Sequence, residues 1–365
     1  MKIKKHLIVL LFLAAVSSVL AQSRADTVIS KKLNWMFYPY AFYTPETNLA
    51  FGAGGLIYLR LDTSRAVLTS KVKLSAYYTL SRLYSFSLMP SIFFPGVERA
   101  NLEAELSYAK IVSKFYGLGG NTPDTGNPYY SLNKFRAYFE VASRSILFNF
   151  LNSGLVFEYA DNIVYDAEDN NYLQDTTLLG RKGGKLLGLG FLGLVDLRDN
   201  VFYPTKNGYY KFSLTFYHPI MGSDFNYANF IVDLRQYQSF TGGHVLAAQL
   251  YAHLTKGDPP FFNLPALGGE KRMRGYFEGR YRDRQYIAAQ MEYRKLVWWR
   301  LGFVAFFSVG DVAGHISDFK FKRLKTSYGF GLRFLFDKEE RINVRMDVGF
   351  GHKTNGVYFG LEEAF

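Results

Sequence analysis

Residues 326–336 read TSYGFGLRFLF and residues 341–351 read RINVRMDVGFG. In the first, Tyr328, Phe330, Leu332, Phe334 and Phe336 fall on one side of an extended chain, and Ser327, Gly329, Gly331 and Arg333 on the other. In the second, Ile342, Val344, Met346, Val348 and Phe350 oppose Asn343, Arg345, Asp347 and Gly349. Side chains of a strand alternate faces with a period of two, so each stretch is a ribbon with one apolar and one polar face. The alternation outlasts the roughly 5–6 residues typical of strands in soluble proteins. It suits the roughly 9–11 residues that a tilted strand needs to cross a bilayer. In such a strand the apolar face meets lipid and the polar face a wet lumen. The competing arrangement is a soluble sandwich, which would have to pair these apolar faces in a dry core.

The same pattern recurs upstream. In Thr69–Leu80, Lys71, Lys73 and Ser75 oppose Val72, Leu74 and Ala76; in Ala100–Ala109, Glu103, Glu105 and Ser107 oppose Leu102, Ala104, Leu106 and Tyr108. Marking every such segment predicts sixteen strands, at 33–43, 47–61, 66–80, 83–94, 99–112, 131–143, 145–160, 184–197, 208–217, 225–238, 243–254, 283–295, 300–312, 324–336, 340–351 and 355–364. The expected fold is all-β, a 16-stranded antiparallel transmembrane β-barrel. The long connections follow strands 5, 7, 11 and 13, so all lie at one end, as short periplasmic turns and long extracellular loops require. Trp298 and Trp299 fall in a short periplasmic turn, where interfacial aromatics belong.

Composition agrees. Aromatics make up 18% of the chain and 33 residues are glycine, with no cysteine. Residues 1–21 carry a basic head at Lys2, Lys4 and Lys5, an apolar run from Leu7 to Val16, and small residues at Val19 and Ala21. This is the pattern of a cleaved secretory signal peptide, and an exported chain without cysteine must be held by pairing and packing alone. The expected organisation is a signal peptide at 1–21, a short periplasmic segment at 22–32 and one barrel over 33–365. The formal charge of +12 is read as electrostatics toward membrane phosphates rather than nucleic acid.

One connection stands apart. Leu264–Arg294 reads LPALGGEKRMRGYFEGRYRDRQYIAAQMEYR, a glycine-rich basic loop that runs into an alternating segment. At its centre lie Met273, Arg274, Gly275 and Tyr276. Glycine permits a turn where a Cβ would clash. An arginine fork can be buried only against carboxylates or carbonyls. Taken alone, the loop could equally be a solvated basic surface.

In sequence order, four stretches carry a resemblance: Phe115–Thr122 (FYGLGGNT), Asp196–Asn200 with Tyr203, Pro204, Thr205 and Gly208, the Met273–Tyr276 loop motif, and Glu292-Tyr293-Arg294. Together they resemble the Omp85 superfamily of outer-membrane barrels, the BamA/TamA or bacterial surface antigen family. The resemblance implies that the sixth extracellular loop folds into the lumen and that its arginine meets acidic residues on strands 12 and 13. Parity puts Gln290, Glu292 and Arg294 on the lumen face, which makes Glu292 the expected partner of Arg274. Ser308 holds the place of the family's strand-13 acid, and Asp311 falls on the other parity. The latch is therefore expected to rest on Glu292, with Gln290, Arg294 and Ser308 as neighbours. Well-studied members carry POTRA domains; the resemblance here implies a short member without them.

The family's seam lies between the first and last strands. Pro39, which lacks a ladder donor, and Gly360 are expected to weaken it and form a lateral gate. Val357, Phe359, Leu361 and Phe365 share the lipid parity, and the resemblance implies an assembly signal read by the outer-membrane assembly machinery at Phe359, Leu361 and Phe365. No zinc spacing joins the six histidines and no nucleophile elbow is present, so no catalytic residue, metal or cofactor is expected. Two functions remain. One is an outer-membrane barrel assisting insertion or translocation of proteins, or lipid movement, with periplasmic partner proteins, barrel clients and outer-membrane lipids including lipopolysaccharide as partners. The other is a passive channel for small solutes, consistent with the many charges of lumen parity.

Overall fold

The computed structural model describes residues 33–44, 48–61, 68–94, 100–126, 128–145 and 150–365. The expected signal peptide and the 22–32 segment lie outside the described residues. Sixteen strands form one antiparallel sheet in chain order. They are β1 (Leu33–Thr44), β2 (Asn48–Leu59), β3 (Ser70–Thr79), β4 (Tyr84–Phe93), β5 (Asn101–Lys114), β6 (Tyr129–Arg144), β7 (Asn152–Tyr165) and β8 (Gly183–Asp196). They continue as β9 (Asn207–Tyr217), β10 (Tyr227–Phe240), β11 (His244–Gly257), β12 (Gln285–Trp298), β13 (Leu301–Ala313), β14 (Lys325–Asp337), β15 (Ile342–Gly351) and β16 (Thr354–Leu361). Each pairs with its sequence neighbour, the meander that short hairpins impose. The sheet curls until its ends meet: Tyr58 of β2 donates to Asp337 of β14 (2.5 Å) and Lys71 of β3 pairs with Glu362 beyond β16 (3.0 Å). The result is a barrel.

Burial is inverted relative to a soluble protein. On β14, Tyr328, Phe330, Leu332, Phe334 and Phe336 are exposed, while Ser327 and Arg333 are buried; on β15, Val344 and Met346 are exposed, while Asn343, Arg345 and Asp347 are buried. Such a surface is stable only where the outer solvent is hydrocarbon, and the barrel leaves its lipid-facing ladders satisfied within the sheet. The sandwich reading is excluded by the same observation. Trp298 and Trp299 lie exposed at the β12–β13 turn.

Most strand ends shift by a few residues from expectation, and the shifts in β7 and β16 bear on the reading. β7 runs over Asn152–Tyr165, not 145–160. Its alternation passes through Asp161 and Asn162, and the polar pair hides a pattern that Ile163 (exposed) and Val164 (buried) continue. β16 stops at Leu361 instead of 364. Glu362 adopts φ 69°, a left-handed conformation that ends the strand. Residues 362–365 then turn into the lumen. Phe365 is thus buried against Tyr237, Ala247 and Ala364 rather than facing lipid. The lipid-parity reading of Phe365 fails because parity holds only while the chain stays extended. Val357 and Phe359 do lie exposed on the outer face.

Candidate functional site: a loop locked inside the barrel

The connection 258–284 between β11 and β12 folds into the lumen. A two-residue ladder, Ala266–Leu267 against Tyr281–Arg282, closes its base. Leu267, Met273 and Tyr276 bury themselves among Tyr251, Tyr286, Ala288 and Val312 of the wall. This apolar cluster explains why a basic loop sits inside: its aromatic and aliphatic side chains find a core only there.

The ladder register prepares a socket for Arg274. Glu292 pairs with Phe306, Phe306 with Gly329 and Gly329 with Gly349, so one row of lumen positions runs across β12, β13, β14 and β15. The neighbouring row runs Arg294, Val304, Gly331, Asp347 and Tyr358. Arg274 spans the two. Its Nη2 donates to Glu292 Oε2 (2.5 Å), its Nη1 donates to Asp347 Oδ2 (2.6 Å), and its guanidinium lies 3.6 Å from the centre of the Phe306 ring. All three polar groups are fully buried. Glycines make the space. A Cβ on Gly331 would fall 1.9 Å from Asp347 Oδ1, and one on Gly349 would fall 2.7 Å from the carbonyl carbon of Arg274.

A second layer holds the carboxylates. Arg294 Nε donates to Glu292 Oε1 (2.7 Å), Arg333 Nη1 to Asp347 Oδ1 (2.6 Å) and Arg345 Nη1 to Asp347 Oδ2 (3.3 Å). Arg345 also reaches back to the loop at Glu270 Oε2 (3.2 Å). Alternating charges of this kind gain little net stability over an apolar core but make loss of one member costly.

The remaining loop motif is seated by hydrogen bonds. Gly275, at φ 111°, donates its N–H to Tyr358 Oη on β16 (2.8 Å). Tyr276 Oη donates to the Thr326 carbonyl (3.1 Å) and accepts from the His352 N–H (3.0 Å). Gln290 Nε2 donates to the Lys271 carbonyl (2.9 Å), and Ser308 Oγ reaches Gln290 at 3.4 Å. The expectation that Glu292 alone meets Arg274 is corrected by Asp347. It lies on β15, three strands away from β12, and the sequence marks it only as one lumen charge among many. Asp311, assigned to the other parity, is buried beside Lys325 (2.5 Å), at the end of β13.

The other quoted stretches converge on the same loop. Gly119 bridges Arg282, and Arg280 stacks on Tyr116 (4.5 Å) while donating to Thr122 Oγ1 (3.1 Å). Pro204 in the turn 197–206 accepts from Arg294 (3.4 Å). That turn closes the periplasmic mouth: Val201 and Phe202 pack on Leu56, Tyr58, Phe93 and Ile342. The residues 362–365 join them, with Glu363 taking Arg333 Nε (2.7 Å), Phe365 O taking Arg294 Nη2 (3.0 Å), and Glu362 paired with Lys71 and Lys73.

Asp199 ties this turn together. Its carboxylate accepts from the Thr205 N–H (2.7 Å), Thr205 Oγ1 (2.8 Å), the Lys206 N–H (3.1 Å) and Arg341 (2.9 Å). Burial pushes this carboxyl up, but the Thr205 and Lys206 donors and the Arg341 charge outweigh it and hold it below the usual carboxylate range. A depressed folded value contributes stability that is complete above the unfolded value of about 3.9 and drains as pH falls through the folded one. Amide-exchange protection over 197–206, taken relative to the intrinsic rate at each pH, is therefore expected to hold above about pH 4 and to fall below it. The Asp199→Asn variant should show the reduced protection at every pH.

At the seam, no ladder joins β1 to β16 among the described residues. Pro39 sits in β1 opposite Ala53, and Gly360 in β16 opposite Arg345. A Cβ at Gly360 would fall 3.1 Å from Arg345 Nε, so this glycine makes room for the arginine.

A sixteen-stranded barrel of inverted polarity, with an arginine-latched loop in its lumen, belongs to the class of membrane-spanning β-barrels closed by their own inward loop. Residues 151–361 match the Omp85 superfamily domain, and the chain belongs to that superfamily. Among solved structures, it is similar to BamA from Haemophilus ducreyi lacking POTRA domains 1-3, with 12% identity, a TM-score of 0.55, and coverage of 96% of this chain and 77% of that one. It is also similar to CdiB from Acinetobacter baumannii, with 12% identity, a TM-score of 0.54, and coverage of 92% of this chain and 60% of that one. No curated protein matches the sequence.

Proposed function

We propose that this barrel assists insertion or translocation of proteins, or movement of lipids, at the bacterial outer membrane, working with separate periplasmic partner proteins. The observation that carries this reading is the pairing of a locked lumen with an unzipped seam. The loop 258–284 is pinned in the lumen by Arg274, while the edges of β1 and β16 carry no mutual ladder among the described residues. Free strand edges offer backbone donors and acceptors to an incoming strand, and a seam offers a lateral path between lumen and bilayer. A passive solute channel needs an open lumen; a loop at one end, and a packed turn with residues 362–365 at the other, argue against it. Arg274 acts here as the latch of the loop, Glu292 and Asp347 as its sockets, and Pro39 and Gly360 mark the seam. Phe359 and Leu361 are proposed as the signal for the barrel's own assembly by the outer-membrane machinery. Lipopolysaccharide and phospholipid form its surroundings. The mature chain is proposed to begin after residue 21, with 22–32 as a periplasmic lead into the barrel.

The chain has no cysteine, so a scan of cysteine pairs placed across β1 and β16 has no background. The expected result is that oxidised pairs abolish insertion of unfolded barrel clients into liposomes and that reduction restores it. Full activity of the oxidised form would remove the seam from the mechanism. In planar bilayers, low and fluctuating conductance is expected; large, steady, solute-dependent currents would favour the channel.

A further inference from the structure

Arg274 belongs to a larger structure than its two sockets. Six side chains form a closed ring of alternating charge: Arg274, Glu292, Arg294, Glu363, Arg333 and Asp347. Arg274 meets Glu292 at 2.5 Å and Asp347 at 2.6 Å. Arg294 joins Glu292 (2.7 Å) to Glu363 (3.9 Å), and Arg333 joins Glu363 (2.7 Å) to Asp347 (2.6 Å). None of these side chains is more than 3% exposed. Glu292 and Arg294 stand on β12, Arg333 on β14 and Asp347 on β15. The remaining two members reach the ring from opposite ends of the barrel. Arg274 comes with the loop 258–284 from the extracellular side, and Glu363 with residues 362–365 from the periplasmic side.

Residues 362–365 fill the periplasmic mouth beside the turn 197–206. The Glu362 N–H donates to the Asn343 carbonyl (2.8 Å) and the Glu363 N–H to the Phe202 carbonyl (3.3 Å). Asn343 Nδ2 donates to the Glu363 carboxylate (2.9 Å), and the Phe365 ring stacks on Tyr237 with centres 6.5 Å apart. The segment forms part of the wall of a lumen cavity of about 370 Å³, together with Lys73, Glu103, Glu140 and Lys211. Moving the segment aside would open this cavity to the periplasm.

Arg274 and Glu363 stand at opposite corners of the ring and carry opposite charges. Taking either away changes what the other can hold. Without Glu363, Arg294 and Arg333 keep only Glu292 and Asp347 as carboxylate partners among the described residues, and compete for them with Arg274. Without Arg274, Glu292 and Asp347 draw more strongly on Arg294 and Arg333, which then share less with Glu363. In a buried site water does not make good either loss. We propose that the ring couples the loop 258–284 to residues 362–365. The segment is then a plug that stays seated only while the latch is closed, and the two ends of the lumen open together. The coupling holds whether the barrel moves proteins, lipids or solutes.

Each end can be read separately in the full chain in detergent. With no native cysteine present, Ala364→Cys, at a buried position of the plug, reports on one end by its rate of labelling with a water-soluble maleimide. Protease cutting within 258–284 reports on the other. Folding of each variant is checked by heat-modifiable gel mobility. Arg274→Ala is expected to speed labelling at position 364 about tenfold, and Glu363→Gln to speed loop cutting by a similar factor, since coupling between sites is reciprocal. Glu158→Gln removes a buried carboxylate partner of Arg136 on β7, outside the ring, and is expected to change neither rate. Unchanged labelling in the Arg274→Ala barrel, or unchanged loop cutting in the Glu363→Gln barrel, would overturn the coupling. Equal effects from Glu158→Gln would also overturn it, by showing a general loosening of the lumen. Should one ring variant fail to fold, the other arm decides alone.

Discussion

An Arg274→Ala barrel is expected to lose its loop. The substitution removes the shared partner of Glu292 and Asp347, both fully buried. Breaking one partner of a buried pair costs about 3–5 kcal/mol, because the remaining charge stays desolvated. Arg294 and Arg333 still neutralise one oxygen of each carboxylate, which keeps the cost near the lower end of that range and the barrel folded. The loop has less to hold it. Its apolar side chains remain, but the charge that fixed their register is gone. Three readouts should move together: the temperature at which the folded gel band disappears should fall, protease should cut within 258–284, and bilayer conductance should rise. Arg274→Lys should be intermediate, since an ammonium keeps the charge but cannot fork between two strands. A variant with unchanged melting and an uncut loop would show that the apolar cluster alone seats it.

Gly275→Val should give the same phenotype without touching a charge. Gly275 has φ 111°, and a Cβ there would fall 2.6 Å from the Phe350 carbonyl carbon. The backbone conformation is one that L side chains rarely adopt, at about 1–3 kcal/mol of strain, and the overlap is with main chain that cannot move aside. The loop must therefore lift from β15, breaking the bond from its N–H to Tyr358. Gly349→Ala attacks the same contact from the wall, where a Cβ would fall 2.8 Å from the Gly275 nitrogen. Because both variants break one joint, their combination should be little worse than either alone. Additive losses would mean that the two glycines serve different purposes.

The barrel was legible because membrane strands write their environment into every second residue. Tyr328 through Phe336, set against Ser327 through Arg333, gave the faces, the strand count and the lumen position of Glu292. Three things were not legible, each for a physical reason. Asp347 meets Arg274 only because the register carries β15 past β14 and β13 to within reach of β12, and register between distant strands leaves no mark in local alternation. The inward turn of residues 362–365 hangs on a single left-handed residue, Glu362, a conformation uncommon for non-glycine residues. The extent of β7 is masked by Asp161 and Asn162, adjacent polar residues that interrupt the apolar alternation although the chain stays extended to Tyr165.

The two lips of the seam are held in different ways. Tyr358 ties β16 to the loop, and the loop is anchored in turn to β12, β13, β14 and β15 through Glu292, Phe306, the Thr326 carbonyl and Asp347. On the other side, Tyr40 of β1 reaches past β2 to Ser75 of β3 (3.0 Å). A force prying the barrel apart would have to break these bridges, together with those from Tyr58, Arg60 and Lys71 to Asp337, Glu340 and Glu362. The latter pin the two lips at one end only, so parting would start at the opposite end, where Thr44 of β1 meets Asn48 of β2.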